Sequence, residues 1–263
     1  MMYVESWGIA GSVVDHGHAG LAWLGQSRGG AVDVESLSLA NRLVGNPQGA
    51  AGIETSGGLV VNFGQPTMIV ITGAVADVTV GAGPAVGWGS PVALPVGAEL
   101  RVGRLMDGAR VYIAIRGGVR RGRPGSDHEL TIGRDPATSA AVQAAPRAAL
   151  SNRLRVWPGP RLDWVQPDAW ESLMASGYEV TGSSRVGVRL HGTALRRSRT
   201  EELPSEGVVE GAVQVPPDGQ PIIMLADHPT TGGYPVIAVV DPADLRHAAQ
   251  AAAGTTLRFI AAR

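Results

Sequence analysis

The chain has 263 residues, a formal net charge of −1 and 17% charged residues. This is enough for one large β domain or two ordinary ones with a sizeable core, and too balanced in charge to favour nucleic acid or an anionic membrane. There is no cysteine, which excludes disulfides and thiolate chemistry; there is no lysine either, which excludes a lysine Schiff base, a Walker-type phosphate lysine and biotinylation of this chain.

The 37 glycines and 18 prolines, with few aromatics, point to many short strands and turns. The first residues carry no charged-then-apolar signal pattern, and no run approaches the ~18 apolar residues of a membrane span. A cytoplasmic location is expected. Met2–Ile9 and Ser12–Val14 read as short strands closed by Asp15-His16-Gly17-His18. Two histidines two apart can share a metal, but a solvated turn fits better and no metal site is expected.

Ser27-Arg28-Gly29-Gly30-Ala31-Val32-Asp33 leads into a helix. Asp33 is placed to cap it, and Leu37, Ala40 and Val44 form an apolar stripe with Leu39 and Leu43. Gly45 is the left-handed stop before Asn46-Pro47. Asn41 rides on this helix as a candidate cleft residue. Glu54, beside the Gly57-Gly58 turn, is a carboxylate able to bind a substrate amide or to pair with an arginine. Leu59–Phe63, Thr67–Thr72, Asp77–Val80, Glu99–Val102 and Arg110–Ile115 alternate as short strands. They argue for a barrel or sandwich and against a parallel α/β sheet.

From Gly117 to Gln143 the pattern breaks, with Arg120, Arg121, Arg123 and Arg134 among Gly, Pro and Ser. The expected division is an N-terminal β-barrel module over 1–120, loop and linker over 121–150, and a C-terminal β-barrel module over 151–263. In the second half, Leu154–Trp157 reads as a strand. Pro167 is expected at the first position of a short helix carrying Trp170, Leu173 and Met174 and stopped by Gly177. Tyr178–Thr181 resumes the β pattern. Arg185, Gly187 and Arg189 fall on one face of an extended segment, so that two guanidiniums can grip a carboxylate or phosphate; a surface strand with its charges outward is the alternative.

Pro221–Leu225 and Pro235–Val240 read as buried strands around Ala-Asp-His-Pro-Thr-Thr-Gly-Gly-Tyr. Asp227, Thr230, Thr231, Gly232, Gly233 and Tyr234 bring a carboxylate, two hydroxyls, flexible backbone and a phenol to one loop. A turn whose threonines only satisfy the backbone is the alternative. After Asp241-Pro242 come a short helix and a last strand, Thr255–Ile260. No G-x-S-x-G elbow, P-loop, dinucleotide fingerprint or H-E-x-x-H is present, so any ATP chemistry is expected from another protein of a complex.

VQVPPDGQPIIMLADHPTTGGYP resembles the signature of the biotin-dependent carboxyltransferase family, also described as allophanate hydrolase subunit 2. GGAVDVESLSLANRLVGN, GIETSGG, VITGA, YIAIRGGV and LRVWPGP are similar to family blocks in the same order. The family includes the C subunit of bacterial 5-oxoprolinase, a bacterial kinase-inhibitor antagonist and part of urea carboxylase. The resemblance implies a mainly β fold of two cyclophilin-like β-barrel modules with a few short helices. It also implies a complex with a homologue of the oxoprolinase B subunit (allophanate hydrolase subunit 1-like) and with the A subunit of the same enzyme. The active site would be shared with the partner.

A free-standing chain of this size is expected to be the oxoprolinase type, opening 5-oxo-L-proline to L-glutamate, inactive or weakly active alone. A carboxyltransferase of the urea carboxylase or allophanate type and a non-catalytic antagonist of a sensor-kinase inhibitor are the alternatives. No cofactor is expected on this chain: ATP is used by the complex, and biotin arrives only on a partner if the carboxyltransferase reading holds. No nucleic acid or membrane partner is expected. The implied roles are proton transfer by Asp33 or Asp227 and substrate binding by Asn41, Glu54, Arg185, Arg189, Gln214, Thr230, Thr231, Gly232, Gly233 and Tyr234. Three places depart from the family pattern: Val14-Asp15-His16-Gly17-His18, Ser184 with Val186, and the short arginine-rich segment after YIAIRGGV.

Overall fold

The computed structural model describes residues 1–121, 127–141, 144–199 and 201–262. The chain divides into two compact units, Met1–Gly17 with Asp33–Ala149, and His18–Val32 with Leu150–Arg263. Both are mainly β with barrel-like sheets; among the described residues the first carries one short α-helix and the second two.

In the first unit, β1 (Met2–Ser6), β2 (Ser12–Val14), β3 (Gly52–Thr55), β4 (Leu59–Phe63), β5 (Thr67–Val80), β6 (Val92–Leu94), β7 (Glu99–Ile115), β8 (Val119–Arg121) and β9 (Glu129–Ile132) form one sheet. Its path runs β2-β3-β7-β4-β1-β9-β8, with β5 on β7 and β6 on β5. The two pairs of short strands expected over 67–80 and 99–115 are in fact two long strands, β5 and β7, paired antiparallel along their length. Where breaks were expected, the register shifts between Gly73 and Val78, and Gly73 stands at φ 81°. Bulges bend a strand without ending it, so β7 pairs with β3 through Val111–Ile113 and with β4 through Glu99–Val102. The apolar residues this curvature encloses include Val4, Val61, Phe63, Ile69, Leu100 and Ile115, all buried.

Helix α1 (Val34–Val44) starts and stops as its residues require. The Asp33 carboxylate accepts from the Ser36 N–H at 3.0 Å, and Gly45 ends the helix at φ 84°. A Cβ there would lie 2.6 Å from the Arg116 guanidinium and the Thr138 carbonyl. Arg116, just before the arginine-rich stretch, donates to the Val44 and Pro136 carbonyls at 2.9 and 2.8 Å and pairs with Asp135. It closes the negative end of the helix. Strand β9, within the stretch expected as loop and linker, pairs with β1 and β8; Arg123 lies outside the described residues.

The second unit contains β10 (Arg153–Pro158), α2 (Ala169–Ala175), β11 (Gly177–Ser183), β12 (Gly187–His191), β13 (Glu206–Gly207), β14 (Ala212–Gln214), β15 (Ile222–Met224), β16 (Thr231–Gly232), β17 (Val236–Val240), α3 (Leu245–Ala249) and β18 (Thr256–Ala261). The barrel runs β10-β17-β14-β15-β12-β11-β18 and closes where β18 pairs parallel with β10. Period-two alternation fills it: Leu154 and Val156, Tyr178 and Val180, Val188 and Leu190, and Leu257 and Phe259 are buried while their neighbours face out. Helix α2 begins at Ala169, two residues later than Pro167 predicts, because Gln166 and Pro167 form the turn whose Gln166 carbonyl receives the Ala169 N–H at 2.9 Å.

The barrel's closing strand is tied to its last helix by charge. Arg155 on β10 donates Nε and Nη2 to Asp244 at 2.9 and 2.8 Å, and its backbone N–H adds a third bond at 2.7 Å. These bonds hold the Asp244 carboxyl below the usual carboxylate range, against the opposing effect of burial. A carboxylate with a lowered folded pKa stabilises fully above its unfolded value, near pH 4, and that stability is lost as pH falls through the folded value. Asp244→Asn should therefore lower the unfolding midpoint at neutral pH and make its decline shallower between about pH 4 and pH 2. Urea titrations across that range read both effects; parallel acid limbs in the two proteins would refute the assignment.

Candidate functional site

In the first unit the expected residues are all buried, Asp33 and Glu54 meeting at Tyr112 and Asn41 standing apart at the helix exit. Asp33 is 2% exposed, with one carboxylate oxygen accepting from the Ser36 N–H and the other from the Ser36 hydroxyl at 2.6 Å. Its own backbone N–H donates to the Tyr112 hydroxyl at 2.8 Å. Glu54 lies opposite Tyr112 in the β3–β7 ladder and 3.9 Å from the Arg110 guanidinium, both side chains almost fully buried. Burial drives the Tyr112 phenol well above its ordinary value, and the Glu54 and Asp33 carboxylates push the same way. Asn41 is fully buried. It donates to the Gln48 and Ala50 carbonyls at 3.1 and 2.7 Å and accepts from Asn46 at 3.0 Å, so its amide organises the helix exit.

In the second unit the site is built around Arg185. Ser184–Val186 forms a turn, with the Ser184 N–H on the Gly187 carbonyl at 3.0 Å, and β12 starts only at Gly187. Arg185 and Arg189 therefore do not share a strand face as expected. The Arg185 fork grips Asp227 at 2.7 and 3.0 Å, and Nη2 also donates to the Gly30 carbonyl at 2.6 Å. The Asp227 N–H returns to the Arg185 carbonyl at 3.0 Å.

Around this fork the segment His18–Val32 lies on the barrel. The Gly29 N–H donates to the Ala226 carbonyl at 3.1 Å, Arg28 grips Glu210 through two bonds of 2.9 Å, and Val32 joins the barrel core. Gly29 and Gly30 stand at φ 62° and 71°, which a side chain would strain. The sequence did not disclose Arg28 and Glu210 as partners, because they lie 182 positions apart.

The two strands expected on either side of the loop are not neighbours in the barrel. Strand β14 stands between β15 and β17, and Thr231–Gly232 instead pairs with Glu206–Gly207. Glu206 is itself gripped by Arg161, which holds its carboxyl below the ordinary range. Thr231 is exposed and Thr230 half-buried, the Thr230 carbonyl receiving the Val208 N–H at 3.0 Å. Gly232 and Gly233 do not have positive φ, so backbone freedom is not the reason for glycine at 232. A Cβ there would come 2.9 Å from the Gln214 amide and 3.2 Å from Val208. Gln214 is buried and reaches the Tyr234 carbonyl at 3.4 Å, while the Tyr234 ring is 44% exposed.

Arg189 projects from the exposed face of β12 and, with Tyr234, borders a groove of about 550 Å³. The second unit thus joins Arg185 to Asp227 and Gln214 to the Thr230–Tyr234 loop, and places Arg189 and Tyr234 on a groove whose lining does not include Asp227, Thr230 or Thr231. Chemically it offers a fixed carboxylate, exposed hydroxyls and a guanidinium. Arg185→Lys keeps the charge but cannot reproduce a fork plus a third bond. It should destabilise the protein by about 1–3 kcal/mol. It should also increase hydrogen exchange at Gly29 and Asp227, measured by exchange mass spectrometry; unchanged exchange at both would show that the fork is dispensable.

The model described as carboxyltransferase domain, subdomain A and B, matches residues 24–123 and 120–261. The chain is 32% identical to the C subunit of 5-oxoprolinase from Escherichia coli (strain K12), over 99% of its own length and 91% of that protein. The crystal structure of TTHA0988 superposes with TM-score 0.87 at 32% identity, over 98% of this chain and 55% of that one. The crystal structure of the K. lactis urea amidolyase gives TM-score 0.86 at 25% identity, over 99% of this chain and 18% of that one. The chain thus spans about half the first of these solved chains and a small part of the second. No helix among the described residues is long and apolar enough to cross a membrane. With the family model covering nearly all of its length, the chain belongs to the carboxyltransferase domain, subdomain A and B, family.

Proposed function

We propose that this chain is the C subunit of an ATP-dependent 5-oxoprolinase. It hydrolyses 5-oxo-L-proline to L-glutamate together with an A subunit and a B subunit, the latter of the allophanate hydrolase subunit 1 type. The observation that carries the reading is likeness: over 99% of its length in both cases, the chain is 32% identical to the E. coli 5-oxoprolinase C subunit and 25% identical to the K. lactis urea amidolyase. The absence of lysine and of nucleotide motifs from the sequence supports it, since both ATP handling and any biotin then belong to partners. A cytoplasmic location goes with this reading.

Within it, the carboxylate suited to proton transfer is Asp227 rather than Asp33. The Asp227 side chain is 36% exposed and oriented by Arg185, whereas Asp33 is buried with both oxygens held by Ser36. The lactam oxygen is polarised by donors of the Thr230–Tyr234 loop, where Thr231 is exposed. Arg189 supplies the fork for the substrate carboxylate.

Alone, the chain should release no glutamate from 5-oxo-L-proline; co-expressed with the A and B subunits it should yield a complex that does so with ATP hydrolysis. ATP-dependent release by the chain alone, or a stable complex of all three proteins that is inert towards 5-oxo-L-proline, would overturn the reading. In the active complex Thr231→Val should lower kcat about 10²–10³-fold, the loss of one positioned donor, with the unfolding midpoint little changed. Normal turnover would return this loop to a structural role.

A further inference from the structure

On β12 the side chains at 189 and 191 share one face, since Val188 and Leu190 are buried and Arg189 and His191 are exposed. Two residues along a strand are separated by about 6.6 Å, so an imidazole rather than a second guanidinium stands beside Arg189. Both line the 550 Å³ groove, a size suited to a small molecule.

The groove is built rather than accidental. Strand β11 bulges opposite Arg189: Val180 pairs with Leu190 and Gly182 with Arg189, leaving Thr181 without a register partner. Thr181 lines the groove and donates its hydroxyl to the Arg189 carbonyl at 3.3 Å. Bulges of this kind re-aim a side chain beside a site. A Cβ at Gly182 would meet nothing within 4 Å. The far wall is Pro216 and Pro217, stiffened by the turn in which the Gly219 N–H donates to the Pro216 carbonyl at 3.0 Å. Gln220 fixes the end by accepting from the Gly192 N–H at 2.9 Å and donating back to the Gly192 carbonyl at 3.4 Å.

The lining also limits the ligand. One carboxylate, Asp218, faces the groove with Arg189; one of its oxygens accepts from the Gln220 N–H at 3.0 Å. A guanidinium balanced by a carboxylate does not attract a polyphosphate. A single carboxylate fits the Arg189 fork, and the prolines and Ile222 cover an apolar ring. Tyr234 brings a phenol within the same lining for a ring amide.

We propose that this groove is the binding site for the cyclic amino-acid-derived monocarboxylate, with Arg189 and His191 together holding its carboxylate and Thr181 positioning Arg189. The proposal rests on the oxoprolinase reading and adds to it His191, Thr181 and the location of the substrate.

The test uses 5-oxo-L-proline and its carboxylate-free counterpart 2-pyrrolidone as probes. By NMR on the full chain and on the assembled three-protein complex, 5-oxo-L-proline should shift the His191 ring signals saturably, with the signals assigned by their loss in His191→Gln. 2-Pyrrolidone should bind at least about 10-fold more weakly, as expected when a charge-assisted hydrogen-bonded pair is lost. In the complex, Arg189→Gln and His191→Gln should each raise KM about 10-fold or more with kcat changed less than about 3-fold, the signature of lost ground-state binding. Equal affinity for the two probes, or no saturable His191 response in chain or complex, overturns the groove assignment. If the complex hydrolyses 5-oxo-L-proline while both variants keep normal KM, the assignment fails and the oxoprolinase reading stands. If the complex is inert but 5-oxo-L-proline still binds with the carboxylate preference, the groove stands as a monocarboxylate site and that reading fails.

Discussion

A guanidinium is planar, permanently charged and carries five donors in a fixed arrangement, so it can serve two acceptors at once only if both lie in its plane. Arg185 serves two: Asp227 takes two of its N–H groups and the Gly30 carbonyl a third. The two acceptors come from stretches with no helix or strand of their own at those residues. The fork replaces ladder hydrogen bonds there, fixing the start of the Asp227–Tyr234 loop and the end of the His18–Val32 segment in one geometry. The left-handed Gly29-Gly30 pair lets the backbone offer its N–H to Ala226 and its next carbonyl to Arg185.

The other recurring device is the interrupted strand. In the first unit, bulges let β5 and β7 run on past the points where a flat sheet would have to end, so one ribbon serves both β3 and β4. In the second, a bulge in β11 frees Thr181 from the ladder beside Arg189. The same local defect curves a core in one unit and shapes a groove in the other. The buried Glu54–Arg110 pair with Tyr112 is a different arrangement: charges held away from water persist only where partners compensate their lost hydration.

Local chemistry was the legible part. Asp33 as a cap, Gly45 as a left-handed stop and Leu59–Phe63 as a strand all follow from rules that act within a few residues. The mainly β class with few short helices followed from the density of turns. What was not legible depends on residues far apart in the chain. Alternation assumed for Arg185 and Arg189 failed because Ser184 turns the chain before β12 begins, although the same alternation, started at Gly187, points to His191. The assignment of 121–150 to loop and linker overlooked β9, whose four residues, Glu-Leu-Thr-Ile, do alternate polar and apolar but stand among Gly, Pro, Ser and Arg and find their partners in β1 and β8. Glycine at 232 was expected to supply flexible backbone to the loop; a Cβ there would instead meet the Gln214 side chain.

The His18–Val32 segment carries a consequence for how the molecule is made. Its anchors in the second unit lie more than a hundred positions downstream, Arg185 being 155 residues beyond Gly30 and Glu210 182 beyond Arg28. At roughly 5–20 residues per second of synthesis, Gly30 leaves the ribosome's active centre about 8–30 s before Arg185 exists to receive it. Throughout that interval Val32 and the two glycines have no barrel to join, while the strands from Gly52 to Ile132 are already emerging. The barrel is therefore the later of the two units to be completed, and a ribosome stalled between the two would hold a nascent chain whose His18–Val32 segment still lacks its barrel.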